Sequence, residues 1–377
     1  MTTSVALHQL LGSTQVTRAV SRIKTPSQRF QAHLGMQPGG FANSPYGGKT
    51  FGYDVFNKSR AIAMGRPPGT GPATRAPQVL GHVTAAAYRA HEMIHLTEER
   101  IFRTRPIGGQ WGDVDTRGQQ YVTKQEQYLA QLFRNNREFM CSRLLRGGFG
   151  VLISGDNWIP VAYGSGTFNV DFQLPSGNKD QLNMLGSGDI INTTWSNTSS
   201  ADILQDILQI NAANEQLHGW PLRHIWMNSV GLLNVLNNTK LQGLAGTANR
   251  TFTVFTPSGA TSAEGIPDIG YTVVMQAIPW LTWHIYDAGL DVNGTFTKFI
   301  PDTGAFFVPE PSSDWAEWAE GSEMIAENFN DPAEERYGLQ AWTTRTIDPA
   351  GFDLKSVDVG LPLVYVPSVY QFGTVVF

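Results

Sequence analysis

The chain carries a single cysteine, Cys141, in 377 residues. One thiol cannot close an internal disulfide, and it excludes CxxC zinc ribbons, iron–sulfur clusters and thioredoxin-type chemistry. Charge is also scarce: Asp, Glu, Lys and Arg make up 16% of the chain, against about 25% in an ordinary soluble protein. A surface so short of charge implies cover by more protein. No stretch approaches the ~20 apolar residues of a membrane helix, so no membrane partner is expected. The opening MTTSVALHQLLGSTQV lacks a basic start and an apolar run of signal-peptide length. This gives the expectation of a soluble chain made in a cytoplasm, in which the Asn-x-Ser/Thr matches at Asn192, Asn197, Asn237, Asn249 and Asn293 are chance. What is present is 41% hydrophobic residues, enough for a large core, with 39 glycines and 21 prolines. That mixture predicts many turns and extended segments, in two ordinary domains or one elaborate one.

Net charge is −5, but it is unevenly spread. Residues 1–110 hold 13 Lys/Arg and 4 Asp/Glu, whereas residues 111–377 hold 14 and 28. Before the first acid, Asp54, stand Arg18, Arg22, Lys24, Arg29 and Lys49; residues 310–335 hold nine acids and no base. Three readings fit: a basic tail for nucleic acid, a solvated arm, or basic segments of one copy lying on acidic surfaces of another.

Residues 1–52 show no sustained period and read as an extended arm. YDVFNKSRAIAM (53–64) reads as a strand, GRPPGTGPATRAP (65–77) as a tip that no helix or central strand tolerates, and QVLGHVTAAAYRAHEMIHL (78–96) as the return. Together they predict a long projecting β-hairpin, much of which cannot lie on its own core. Thr116-x-x-Gln119 fits a capping box. Val122, Leu129, Leu132/Phe133, Met140 and Leu144 then recur at three- to four-residue steps, some of them doubled, interrupted at Asn136, and Gly147–Gly148 supplies the stop. FGVLISG, NWIPVAYG and FNVDFQLP read as three strands. Ser199 or Ser200 is the expected cap of a helix over 201–219, with Ile203, Ile207, Ile210 and Leu217 on one face. HIWMN (224–228) reads as a buried strand, VGLLNVLNN as a short helix, and the segments 271–287, 296–310 and the tail GLPLVYVPSVYQFGTVVF as strands. The class is α+β.

The sharpest chemical motif is His91-Glu92-Met93-Ile94-His95. On a helix its imidazoles share one face and can hold Zn²⁺, with Glu92 polarising bound water. On a strand they stand ~13 Å apart and cannot share an ion. No H-x-x-G-x-x-H continuation follows, and Glu98, Glu99 and Glu126 are the remaining ligand options. A zinc metallohydrolase is therefore the alternative function. NSPYGGKT (43–50) has Asn43 where a phosphate loop needs glycine, and GSGDIIN (186–192) is no dinucleotide fingerprint. Asp287 and Asp302 read as turn acids rather than as a general acid and base. Trp315, Trp318, Ile325 and Phe329 fit one helical face as packing residues, and Cys141 reads as a core thiol.

Four blocks carry a family resemblance: QQYVTKQEQYLAQLFRNNREFMCSRLLRGGFGVLISGDNWIPV, TTWSNTSSADILQDILQINAANE, WHIYDAGLDVNGTFTKFIPDTGAFFVPE and LPLVYVPSVYQFGTVVF. In this order, over roughly residues 53–377, the chain resembles the lambda-type major capsid proteins of tailed bacteriophages (capsid protein E family), which have the Hong Kong 97 fold. The resemblance implies an N-terminal arm (1–52), an extended E-loop (53–100), a peripheral domain (101–197) with a spine helix over about 117–146, an axial domain (198–340) and returning peripheral strands (341–377). It implies a non-enzymatic subunit without cofactor, which self-assembles as hexamers and pentamers into an icosahedral virion shell in the host cytoplasm. The implied partners are a scaffold, a portal, a decoration protein in some relatives, and packaged double-stranded DNA held non-specifically. No stapling Lys/Asn pair is identified. Opposite charge makes Arg60, Arg66, Arg75 and Arg89, with Glu317, Glu320, Glu323 and Glu327, the subunit-interface candidates. No catalytic residue and no metal ligand is expected, His91 and His95 belonging to the alternative.

Overall fold

The computed structural model describes residues 29–56, 81–97, 116–154, 157–180, 182–186, 188–244, 255–258, 271–275, 278–292, 294–326, 333–347 and 350–375. The arm region is not wholly extended. Arg29–Leu34 is a short helix, α1, followed by strands β1 (Asn43–Pro45) and β2 (Thr50–Val55). Phe30, Leu34, Met36, Ala42, Phe51, Tyr53 and Val55 are all buried. Phe30 and Leu34 keep helical spacing and Phe51, Tyr53 and Val55 strand spacing, but each over one short element, too briefly for a sustained period. All seven join a core cluster with residues far along the chain.

The returning run is two strands, β3 (Gly81–Ala86) and β4 (Tyr88–Thr97). Strand β3 pairs antiparallel with β2, from Thr50 opposite Ala86 to Val55 opposite Gly81. The tip, residues 65–77, lies outside the described residues, as do the flanking 57–64 and 78–80. Strand β4 departs from the hairpin expectation, because it lies on the protein's own body.

Helix α2 spans Thr116–Leu144, within two residues of the expected bounds at each end. The side chains of its first turn, where the capping box was expected, lie outside the described residues. Gly147 stops it with φ +89°, a left-handed conformation that favours glycine. Strands β5 (Gly148–Ser154), β6 (Asn157–Ala162) and β7 (Phe168–Asp171) follow as the expected trio, ordered β6-β5-β7. Helix α3 is Ile203–His218. Its cap is Asp202 rather than Ser199 or Ser200, the carboxylate accepting from the Gln205 amide at 3.2 Å. Gly219 closes it at φ 78°. Ile203, Ile207 and Ile210 are buried as expected, but Leu217 faces out.

Strand β8 (Leu222–Met227), helices α4 (Ser229–Leu236) and α5 (Thr239–Leu244), and strands β9 (Phe255–Ser258), β10 (Tyr271–Met275), β11 (Thr282–Ile285), β12 (Gly289–Val292), β13 (Thr295–Lys298) and β14 (Gly304–Pro309) come next. Strands β15 (Ala316–Glu320) and β16 (Ser322–Ile325) replace the helical face expected of Trp315, Trp318 and Ile325, and Phe329 lies outside the described residues. A three-residue apolar spacing fits a helix or a bent strand pair equally well. Here Gly321 separates the strands, and a Cβ on it would stand 2.6 Å from Val359 Cγ1. The chain ends with β17 (Glu334–Tyr337), β18 (Gln340–Ile347), β19 (Ala350–Val364) and β20 (Gln371–Thr374).

Two sheets organise these elements. The first runs β1-β15-β19-β18, and β4 pairs with β19 over Tyr88–Thr97. The amino-terminal half of α2 packs on this sheet through Val122, Leu129 and Phe133 against Leu96, Ala341 and Leu354. The second sheet is ordered β20-β14-β8-β11-β10-β9, and its strands β14, β8 and β11 carry buried side chains on both faces. One face carries Trp226 and Phe306 towards Phe30 and Phe139; the other carries Ile225, Met227, Trp283 and Phe307 towards Trp195, Ile203 and Ile207. Burial on both faces explains why β14 reads as a continuous apolar run rather than an alternating one. Among the described residues, no helix is long and apolar enough to cross a membrane.

Candidate functional site

The two sheets meet at adjacent residues of α2. Arg137 continues the apolar row Leu129–Phe133 at a four-residue step and is fully buried, as is Glu138. The Arg137 guanidinium donates two bonds to Asp358 on β19, Nε to Oδ2 at 2.7 Å and Nη2 to Oδ1 at 2.6 Å. It also lies 4.7 Å from the centre of the Trp318 ring and 3.7 Å from Glu320. Charge, hydrogen bonding and an aromatic face together compensate the loss of water.

Glu138 points to the other sheet. Its carboxylate accepts from the Phe30 amide at 2.8 Å and the Gln31 amide at 3.0 Å, and from the Tyr286 hydroxyl at 3.1 Å. The amides are the unsatisfied donors of the first turn of α1, so an acid 108 positions away in sequence serves as that helix's cap. Burial pushes its carboxyl up to about 7, against the pull of these donors. Cys141, one turn on, is buried beside Met36, and burial raises its thiol well above the ordinary value.

The expected interface residues fall into two groups. Arg60, Arg66, Arg75 and Glu327 lie outside the described residues. The others find partners within the chain. Arg89 Nε donates to Glu323 at 2.9 Å, with Lys49 3.9 Å from the same carboxylate. Glu317 accepts from Ser44 at 3.0 Å and from the Tyr365 hydroxyl, and Glu320 accepts from Asn43 at 2.9 Å. The acids of β15 and β16 therefore hold the chain's own early segments.

The metallohydrolase motif is overturned by its secondary structure. His91, Glu92 and His95 all lie on β4, where His91 faces Val357 and His95 faces Asp353 across the ladder. Four residues of strand separate the imidazoles by ~13 Å. His95 Nδ1 is 2.7 Å from Asp353, and His91 stacks on Trp342 at 5.9 Å. The helix-friendly composition of this segment is outweighed by a ten-residue ladder to β19. Asp287 accepts from Ser229 and Asp302 from Lys298, as turn acids do.

Sequence reasoning missed Arg137, Glu138 and a cluster of His33, His224 and His284. For Arg137 a signal existed, a charge at an apolar position of the helix. The histidines come from three distant segments and gave none.

Two solved structures share the fold across their whole length. One, described as the candidate capsid protein of a prophage in Escherichia coli CFT073, is 12% identical with a TM-score of 0.53, covering 97% of this chain and 99% of that one. The other, a phage-related protein of Bordetella bronchiseptica RB50, is 9% identical with a TM-score of 0.50, covering 96% of both chains. No curated protein matches. The fold is that of the Hong Kong 97-like phage capsid proteins. The sequence model of the family described as phage major capsid protein E matches residues 12–375, and the chain belongs to that family of capsid-forming proteins.

Replacing Arg137 by Met leaves Asp358 buried and unpaired, and is expected to cost about 3–5 kcal/mol. Adding Asp358→Leu should recover most of that loss, measured by denaturant unfolding in a double-mutant cycle; a single variant as stable as wild type would overturn the reading. Because the folded-state value of Glu138 lies above the ordinary 4.5, the folded chain keeps a proton that the unfolded chain has released. Its contribution is full below that ordinary value and is lost as pH rises through about 7. Relative to Glu138→Gln, the wild type should lose up to about 3 kcal/mol between about pH 5 and pH 8. Parallel pH profiles for the two proteins would refute it.

Proposed function

We propose that this chain is the shell subunit of a tailed double-stranded DNA phage, closing as hexamers and pentamers into an icosahedral head. The observation that carries the reading is the family match from residue 12 to 375. In this assignment residues 1–52 are the arm, 53–100 the E-loop, 101–197 and 341–377 the peripheral domain and 198–340 the axial domain. The pairing of Val55 with Gly81 supports the E-loop assignment, since it sets the two ends of the intervening segment side by side. A 25-residue excursion with seven Gly or Pro at its tip serves a neighbour better than its own core. Arg60, Arg66 and Arg75 are its arginines, and Glu327 is the acid proposed to meet them across a subunit boundary. Arg89, Glu317, Glu320 and Glu323, already partnered within the chain, hold the surface in shape for that contact.

The subunit is non-enzymatic on this reading. A scaffold, a portal and in some shells a decoration protein are its partners in the host cytoplasm, and packaged DNA is held without sequence preference. A net-negative carboxy-terminal two-thirds suits a wall that must not trap a polyanion.

The chain, co-expressed with the scaffold protein encoded beside it, should give closed shells by electron microscopy; monomers under every condition would reject the function. Deleting residues 65–77 should leave circular dichroism and thermal unfolding near wild type while shells disappear. Normal shells from the deletion would reject the role given to the excursion.

A further inference from the structure

Helix α1 meets the six-stranded sheet at three imidazoles. His33 is on α1, His224 on β8 and His284 on β11. Strands β8 and β11 run parallel, with Trp226 opposite His284, so His224, Trp226 and His284 share the face turned to α1. Each histidine offers a nitrogen, all within 4.8 Å of one another. The ring centres are 4.3 Å apart for His33–His224, and 5.1 Å for both His33–His284 and His224–His284. Three imidazoles bound tetrahedrally at about 2.05 Å would put their ring centres about 5 Å apart and their ligating nitrogens about 3.3 Å apart. Two of the ring separations already match, and one nitrogen pair, His224 Nδ1 and His284 Nε2, is at 3.0 Å.

The proton positions follow from the partners. His224 Nε2 lies 3.1 Å from the Glu310 carboxylate and donates to it, which leaves its Nδ1 a lone pair directed at His284. A carboxylate behind the far nitrogen of a histidine orients that ring and raises its basicity, as around metal ions generally. His284 Nε2–H then donates to His224 Nδ1, and His284 Nδ1 is left buried with no hydrogen-bond partner in the chain. His33 Nε2 is likewise buried without one. Moving the His284 proton to Nδ1, which has no partner in the chain, gives up the bond to His224 and frees the Nε2 lone pair for an ion. A stack on Trp226, 4.1 Å between ring centres and 9° between planes, fixes the His284 ring. Burial disfavours the charged form of all three rings, lowering His33 to about 3 and His224 and His284 as well.

We propose that His33, His224 and His284 bind one divalent transition-metal ion of the zinc class, which fastens helix α1 to the six-stranded sheet. Imidazole suits such ions, and three protein ligands leave a fourth position for water. Arg29, 6.0 Å from the Trp226 ring, and Arg223 add positive field at the site, and Glu310 supplies the opposing charge. The site is separate from the β4 histidines and does not depend on shell formation.

Cobalt(II) titrated into the full-length chain, stripped with a chelator and dialysed, reads the site directly. One equivalent per chain should bind with the visible bands of a tetrahedral centre, and zinc should displace it and raise the unfolding temperature. Glu310→Gln changes an exposed side chain and should weaken binding about 10- to 100-fold without altering the fold. His33→Ala should abolish the bands, and His91→Ala should leave them unchanged. Absence of the bands in wild type, bands that survive in folded His33→Ala, or an unweakened Glu310→Gln protein would each overturn the proposal.

Discussion

Two consecutive side chains on helix α2 tie this molecule together from opposite directions. Arg137 grips Asp358 on the first sheet and Glu138 grips the first turn of α1 against the second sheet. Consecutive helical residues diverge by about 100°, so a single helix can address two bodies only if adjacent positions carry the contacts. Both groups are charged or chargeable and both are buried, a costly arrangement that the Asp358 pair, the Trp318 ring face and the capped amides offset, while Arg137 Nη1 stays buried without a hydrogen-bond partner. Apolar contacts along α2 allow some sliding. The bidentate guanidinium pair and the capped amides do not, and they fix the helix in register with both sheets.

Much of this plan was legible in the sequence because long periodic elements announce themselves. The α2 bounds, the β5–β7 trio, the buried β8 and strands β10, β11, β13 and β14 follow from apolar spacing and from glycine and proline punctuation, whereas β12 falls between the expected segments. What escaped was anything decided by distant partners. Helix α1 is six residues long and too short to nucleate alone; it forms because Glu138 caps it and Phe30 packs on Trp226 at 4.5 Å. The HExxH segment has helix-forming residues but follows the β19 ladder. In the β15–β16 region, tryptophan spacing suggested a helix that Gly321 and the pairing to β19 rule out.

The charge asymmetry illustrates a limit of composition. A basic early third and an acidic remainder imply that opposite signs will meet, yet composition cannot say whether they meet in one molecule or between two. Lys49 and Arg89 with Glu323 are such meetings within one chain, and Arg137 with Asp358 and Glu320 is an ion pair inside the acidic remainder itself. A low-charge subunit of a self-assembling family thus spends part of its scarce charge on internal order, which leaves apolar and neutral polar groups to form much of its outer surface.

The longest strand also sets a timetable. Strand β19 starts at Ala350 and ends at Val364, and its partner β4 is complete at Thr97. At about 5–20 residues per second of synthesis, β4 waits roughly 13–50 seconds for its ladder, and Arg137 waits nearly as long for Asp358. Until then a polar, unpaired strand edge and an ionic helix face are open to other nascent chains. Such a polypeptide closes late and all at once, so its vulnerability to aggregation is concentrated before release from the ribosome, when chaperone occupancy of the β4 edge would matter most.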